Sequence, residues 1–179
     1  NAHPHPSGDG DLAITINKTT QVDNSDWTGY INIVVGDAEG SLGFSPLGGS
    51  GTGDGLMIAQ AAFAIGTGCS NISSQSPNDL GRTLTHEMGH YLNLDHLWGD
   101  GGCSSDDQVT DTPSQEGSNF GCPTLGGTKS CNTEDLHMNY MDYSDDACMY
   151  MFSAGQASRM ENWVTSGLFN NLKKAGDVF

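Results

Sequence analysis

Basic residues are the scarcest feature of this sequence. Six Lys and Arg stand against 22 Asp and Glu across 179 residues, a formal net charge of −16. A chain so acidic repels phosphate backbones and anionic lipid, so no nucleic-acid partner is expected. The same charge keeps an extracellular protein soluble and attracts cationic peptides or Ca²⁺. Long apolar runs are missing too. The longest, Leu56 to Ile65, is too short to span a bilayer, so no membrane insertion is expected. None of the five cysteines forms a C-x-x-C pair, so a thiolate zinc site is not indicated. The Gly-rich loop from Gly48 to Gly55 lacks the lysine of a phosphate-binding loop.

What is present clusters in one stretch, HEMGHYLNLDH, from His86 to His96. His86 and His90 are four apart, so on a helix they share a face. A third imidazole, His96, follows just beyond. Three such ligands hold Zn²⁺ and leave a fourth position for water. Glu87, directly after the first His, is placed to take a proton from that water. An exposed polar helix face that happens to carry three His is the plainer reading. Four fixed residues over eleven positions weigh against it.

The cysteines point to a compartment. Cys103, Cys122, Cys131 and Cys148 fall in the loop-rich segment after the histidines, where two disulfides would substitute for a thin core. Four cysteines allow three pairings. Cys69 is left over, as a free buried thiol or a bond to a segment outside the chain. The expectation is a secreted, extracellular protein, opening at Asn1 as after processing.

Local patterns supply a frame. Residues 1–10 read as a loop, with His3 and His5 solvated between prolines. Leu12–Ile16 and Tyr30–Val35 read as strands. Leu56–Ile65 reads as either strand or helix, and no helix signal precedes it. Ser76-Pro77-Asn78-Asp79 looks like a helix start, with Ser76 as N-cap. From there Leu80, Leu84, Met88 and Leu92 mark a core face, ending at Asn93, which tolerates a left-handed turn. A last helix should begin at a Ser153–Gln156 capping box, burying Ala157, Met160, Trp163, Val164 and Leu168. In CSSDDQVTDTP, clustered carboxylates Asp106, Asp107 and Asp111 suit Ca²⁺, or simply a solvated acidic turn.

HEMGHYLNLDH resembles the extended metzincin motif HExxHxxGxxH, with Asn93 standing where that pattern has Gly. NYMDYSDDACMYMF resembles the companion Met-turn. Together with CSSDDQVTDTP, NFGCPT and FSAGQASRM, these runs look like the pappalysin family, in particular its ulilysin-like bacterial branch. The resemblance implies an α+β fold of the metzincin type. A mixed twisted sheet and the active-site helix would form an upper subdomain (1–96). A loop-rich lower subdomain (97–179) would end in a helix, within one catalytic domain spanning 1–179. It also implies that Met141 lies beneath the zinc and that Tyr143 stabilises the reaction intermediate. Asp146 would line a pocket that favours Arg or Lys just after the scissile bond. The family's disulfides would pair Cys103 with Cys131 and Cys122 with Cys148. Its calcium loop matches Asp107, Val109, Asp111 and Thr112.

The function implied is a secreted zinc endopeptidase acting on protein or peptide substrates laid along a strand edge within residues 56–65. An inactive zinc- and calcium-bearing binding module of a larger secreted protein is the alternative. A zinc hydrolase of non-peptide substrates is a third reading.

Overall fold

The β-branched run after Tyr30 and the apolar run after Gly55 become the two central strands of a four-stranded sheet. A computed structural model describes residues 14–16, 25, 28–63 and 77–172. Its sheet has the order β1-β2-β4-β3. Strands β1 (Ile14–Ile16), β2 (Asn32–Gly36) and β4 (Gly55–Ala59) are parallel, and the short β3 (Gly43–Phe44) runs antiparallel along β4. Leu56, Met57 and Ile58 are fully buried, as a strand covered on both faces requires. The ambiguous stretch is therefore both things in turn, β4 and then the single-turn helix α1 (Gln60–Phe63). Because β4 is paired on both sides, it offers no free edge. The edge strands are β1 and β3, which corrects the expectation of a strand edge within residues 56–65. Among the described residues no helix precedes Leu56. His3, His5, Cys69 and Ser76 lie outside the described residues.

The histidine helix α2 spans Arg82–Tyr91, starting later than the sequence indicated. Gly81 stands before it at φ +80°, a left-handed conformation that favours glycine, and no side chain of the helix's own leading turn caps it. The cap comes from far along the chain. The Asp146 carboxylate accepts from the backbone N–H of Leu80 (2.8 Å) and of Arg82 (3.1 Å). Leu80 consequently precedes the helix and is exposed, not core. Leu84, Met88 and Leu92 do pack against the cluster of Leu56, Ile58, Ala62, Tyr91 and Leu168. At the other end Asn93, at φ +71°, turns the chain as expected. The Leu94 N–H then reaches back to the Gly89 carbonyl at 2.9 Å, closing the helix terminus.

Helix α3 (Ala154–Trp163) opens on the capping box of Ser153 and Gln156 that the sequence signalled. It continues through a π-helical turn, Val164–Leu168, into α4 (Phe169–Asn171). Met160, Trp163, Val164 and Leu168 face the cores, whereas Ala157 is exposed and drops out of the stripe. Between α2 and α3 the chain has little regular structure beyond the hairpin of β5 (Lys129–Ser130) and β6 (Thr133–Glu134). Disulfides Cys103–Cys131 and Cys122–Cys148 tie that segment together.

Candidate metal centre and substrate cleft

Each histidine is oriented by what its second ring nitrogen meets. His86 Nδ1 lies 2.7 Å from the Tyr140 carbonyl, and His90 Nδ1 lies 2.7 Å from the Leu94 carbonyl. A carbonyl can only accept, so both Nδ1 atoms carry the proton. His96 Nδ1 meets the Asp100 carboxylate at 2.8 Å, which fixes the same tautomer. All three Nε2 atoms then present lone pairs, and they converge. His90 Nε2 is 3.1 Å from His86 Nε2 and 3.1 Å from His96 Nε2. Neutral imidazoles have no proton left to place between them, so this arrangement repels itself unless a cation sits at its focus.

Protonation does not relieve the repulsion. Burial and the neighbouring His90 push the His86 pKa down to about 3. Burial and His96 push His90 down to about 4. The three rings therefore fit a divalent cation that accepts nitrogen ligands.

Glu87 is also buried, on the turn of α2 beside His86, and burial raises its pKa to about 8. The edge strand passes directly over it. A Cβ on Gly43 would stand 2.7 Å from the Met57 carbonyl oxygen and 2.9 Å from Glu87 Cγ, so β3 can take this course only with glycine there. Beneath the helix lies Met141, fully buried with Leu94 and Leu97. A Cβ on Gly89 would sit 2.4 Å from Met141 Sδ, so Gly89 is what lets α2 settle on the methionine.

Tyr143 reaches in from the loop after Met141, its hydroxyl 3.0 Å from His96 Nε2. Burial, and then the negative charge of Glu87, raise its pKa, so the phenol keeps its proton. Next to the histidines opens a cleft of about 450 Å³, lined among others by Gly43, Glu87, Phe120, Tyr143 and Asp146. Asp146 is almost completely buried there. One of its oxygens caps α2, while Oδ1 has no hydrogen-bond partner. Burial raises its pKa.

The acidic loop is built differently. Both Asp107 oxygens accept from the Thr112 hydroxyl, at 2.8 and 2.9 Å, and Oδ1 also accepts from the Val109 N–H. Thr112 Oγ1 is 2.7 Å from the Val109 carbonyl. Asp111 turns away to α3, accepting from the Ser153 hydroxyl at 2.7 Å and the Gly155 N–H at 2.8 Å. Among the described residues no three acids there bring their oxygens within 4.8 Å of one another, whereas the three histidines do converge that closely.

Residues 15–165 match the model of peptidase family M43, described as pregnancy-associated plasma protein-A. The chain belongs to that family. These are the pappalysins that its motifs resemble. Curated relatives include an extracellular metalloprotease 1 of Coccidioides posadasii, 45% identical over 108 residues, or 55% of this chain and 38% of the relative. An extracellular metalloprotease of Arthroderma gypseum is 38% identical over 129 residues, covering 69% of this chain and 43% of the relative. The chain thus spans less than half the length of these proteins. Among solved structures, mature mirolysin of Tannerella forsythia in complex with a cleaved peptide superposes with a TM-score of 0.67. It is 37% identical, over 80% of this chain and 56% of that one. The α+β metzincin-like fold follows from this likeness, and membership of a metalloprotease family implies a metal.

Sequence reasoning did not single out Trp98, Asp100, Phe120 or Gly43. Trp98 sits outside every motif, Phe120 lies within the NFGCPT run but carries no assigned role there, and Asp100 is one acid among many. Only the folded turn shows what each of them touches.

Proposed function

We propose that this chain is the catalytic domain of a secreted zinc endopeptidase. The upper part (1–96) would carry the sheet and histidine helix, and the lower part (97–179) the Met-turn and the last helix. One observation carries the reading. Three Nε2 lone pairs converge with no proton available among them, and Glu87 stands on the adjacent turn of the same helix.

His86, His90 and His96 would hold Zn²⁺. When bound, the ion supplies Lewis acidity toward water and toward the peptide carbonyl. Glu87 removes the proton from the attacking water and later delivers it to the leaving amine. The Tyr143 hydroxyl donates to the oxygen that gains charge as the carbonyl becomes tetrahedral. Substrate lies extended along β3, the edge strand that passes over Glu87, adding a strand to it. Met141 acts as packing beneath the histidines, since its sulfur faces Gly89.

Asp146 supplies the preference for Arg or Lys just after the scissile bond. The support is its unpartnered, buried Oδ1 on the wall of the cleft, which a guanidinium would satisfy. A second cation, Ca²⁺, is proposed for the loop of Asp107, Val109, Asp111 and Thr112. Carboxylate, carbonyl and hydroxyl oxygens meet there, although Asp111 would have to leave α3 to join them.

The test is digestion of a mixed peptide library with and without a zinc-specific chelator. Chelator-sensitive cuts before Arg or Lys are expected. Cuts elsewhere would remove the role of Asp146 and keep the protease. Zinc bound without any cleavage would favour a binding module.

A further inference from the structure

Two of the three histidines are held by groups that no substitution can remove. His86 and His90 sit on α2, and their Nδ1 atoms donate to backbone carbonyls. His96 is different. It lies beyond the helix, and its Nδ1 donates to a side chain, Asp100, that is 67% exposed. Its ring is covered on one face by Trp98, stacked at a centroid distance of 4.4 Å with an interplanar angle of 6°.

The turn that arranges this is tightly specified. Gly99 and Asp100 both have positive φ, +52° and +54°, so the backbone curls left-handed over two consecutive residues. The Gly99 N–H donates to the His96 carbonyl at 2.9 Å, and the Gly101 and Gly102 N–H groups both donate to the Trp98 carbonyl at 3.1 Å. A side chain at Gly99 would stand 2.7 Å from the Asp106 carbonyl and from Ser105 Oγ. Asp is tolerated in this conformation better than most residues but does not favour it. A non-glycine residue held there, with its carboxylate returned onto a histidine four positions back, is an outlier that points to a use.

We propose that Asp100 is a positioning residue for His96, with Trp98 as its partner stacked on one face of the ring. The proposal rests on the reading of the three histidines as metal ligands. Asp100 holds the proton on Nδ1 and keeps Nε2 as the ligand atom. Trp98 stops the ring from rotating out of line. Without them His96 would be a ligand on a loop, free to swing, while the two helical histidines stayed in place. Outer-shell partners of this kind typically contribute about 10- to 100-fold in metal affinity.

The experiment compares the wild-type protein with Asp100→Ala, Asp100→Asn and Trp98→Leu. Three quantities are read: the rate of zinc release into a chromogenic chelator, the visible spectrum after cobalt substitution, and the melting temperature of the metal-free protein. Asp100→Ala is expected to release zinc about 10- to 100-fold faster. Asp100→Asn should fall between it and wild type, because an amide oxygen still accepts from Nδ1 but carries no charge. Trp98→Leu should shift the cobalt spectrum and speed release by a smaller factor. The metal-free melting temperature of Asp100→Asn should be unchanged, since Asn keeps the left-handed backbone and the side chain is exposed, whereas Asp100→Ala should melt slightly lower because Ala fits that backbone less well.

Release from Asp100→Ala at the wild-type rate would overturn this inference alone. So would faster release from Asp100→Asn that merely follows a fall in its metal-free melting temperature. A wild-type protein that takes up no zinc would overturn the proposed function and this inference together.

Discussion

The histidine centre and the Asp107–Thr112 loop both carry metal-ligating residue types at close spacing, yet the fold treats them in opposite ways. At the histidines, every ring N–H is turned outward to a carbonyl or a carboxylate, and the lone pairs that remain face one another, with the Tyr143 hydroxyl 3.0 Å from His96 Nε2. In the acidic loop, the carboxylates already take donors from the protein, the Val109 N–H for Asp107 and Ser153 and Gly155 for Asp111, while the single Thr112 hydroxyl proton is shared among both Asp107 oxygens and the Val109 carbonyl. A cation is needed to complete the first arrangement and must displace existing bonds to enter the second. Ligand spacing alone does not separate the two cases. The direction of the surrounding donors does.

The largest effect that would sharpen this contrast comes from separating metal binding from proton transfer. Glu87→Ala should retain zinc, because Glu87 is not among the converging ligands, and should lose about 10²- to 10⁴-fold in turnover. His90→Ala should lose both zinc and turnover, since His90 Nε2 is the atom closest to both other ligands. Metal analysis and peptide cleavage on the same preparations decide it. Wild-type turnover in Glu87→Ala would remove Glu87 from the mechanism.

Much of this division was readable from the chain, and the reasons are local. The i, i+4 pair of histidines, the turn at Asn93 and the capping box at Ser153 each depend on residues within about one helical turn, so their chemistry is written consecutively. The start of α2 was misplaced because its cap is Asp146, some sixty positions away, and no nearby residue announces it. The strand edge expected within residues 56–65 was misplaced for a related reason. Leu56–Ala59 has the composition of a strand, but which neighbours pair with it depends on β3, two residues long and marked only by Gly43 and Phe44. Asp146 shows both sides at once: family likeness pointed to the pocket, and the fold adds a structural duty as a helix cap.

An intermediate effect appears when the metal is removed and pH is varied. In the metal-free protein Glu87 holds a proton between 4.5 and about 8 that the unfolded chain has released. Stability from this group therefore falls as pH rises through that window, by about 1.4 kcal/mol per pH unit. His86 and His90 act in the other sense. The unfolded chain takes up protons below 6.5, which the folded rings refuse until about 3 and 4. Their contribution is lost as pH falls, and with two groups it outweighs that of Glu87. These three groups place the stability maximum of the metal-free protein near pH 6.5. Denaturant titration across pH checks this, and Glu87→Gln should flatten the alkaline side and steepen the acid side between 4.5 and 6.5. A maximum that stays put and keeps both slopes in that variant would show that Glu87 is not buried in the uncharged form.

The smallest effect bears on the acidic loop. Ser153 accepts from the Gln156 N–H at 3.0 Å while its hydroxyl donates to Asp111 Oδ1 at 2.7 Å. Ser153→Ala removes the helix cap, which should cost about 1 kcal/mol, and leaves one Asp111 oxygen without its hydroxyl donor. If the loop takes Ca²⁺ at all, that change should favour it, because the cation then displaces one bond fewer. The expected result is a lower melting temperature without calcium and a larger calcium-induced rise than in wild type, with zinc content and cleavage sites unchanged. Loss of stability with no calcium response in either protein would mean that the loop's acids serve only their own backbone and the start of α3. In that case the protein would have one cation centre, set by the outward-facing donors around three histidines.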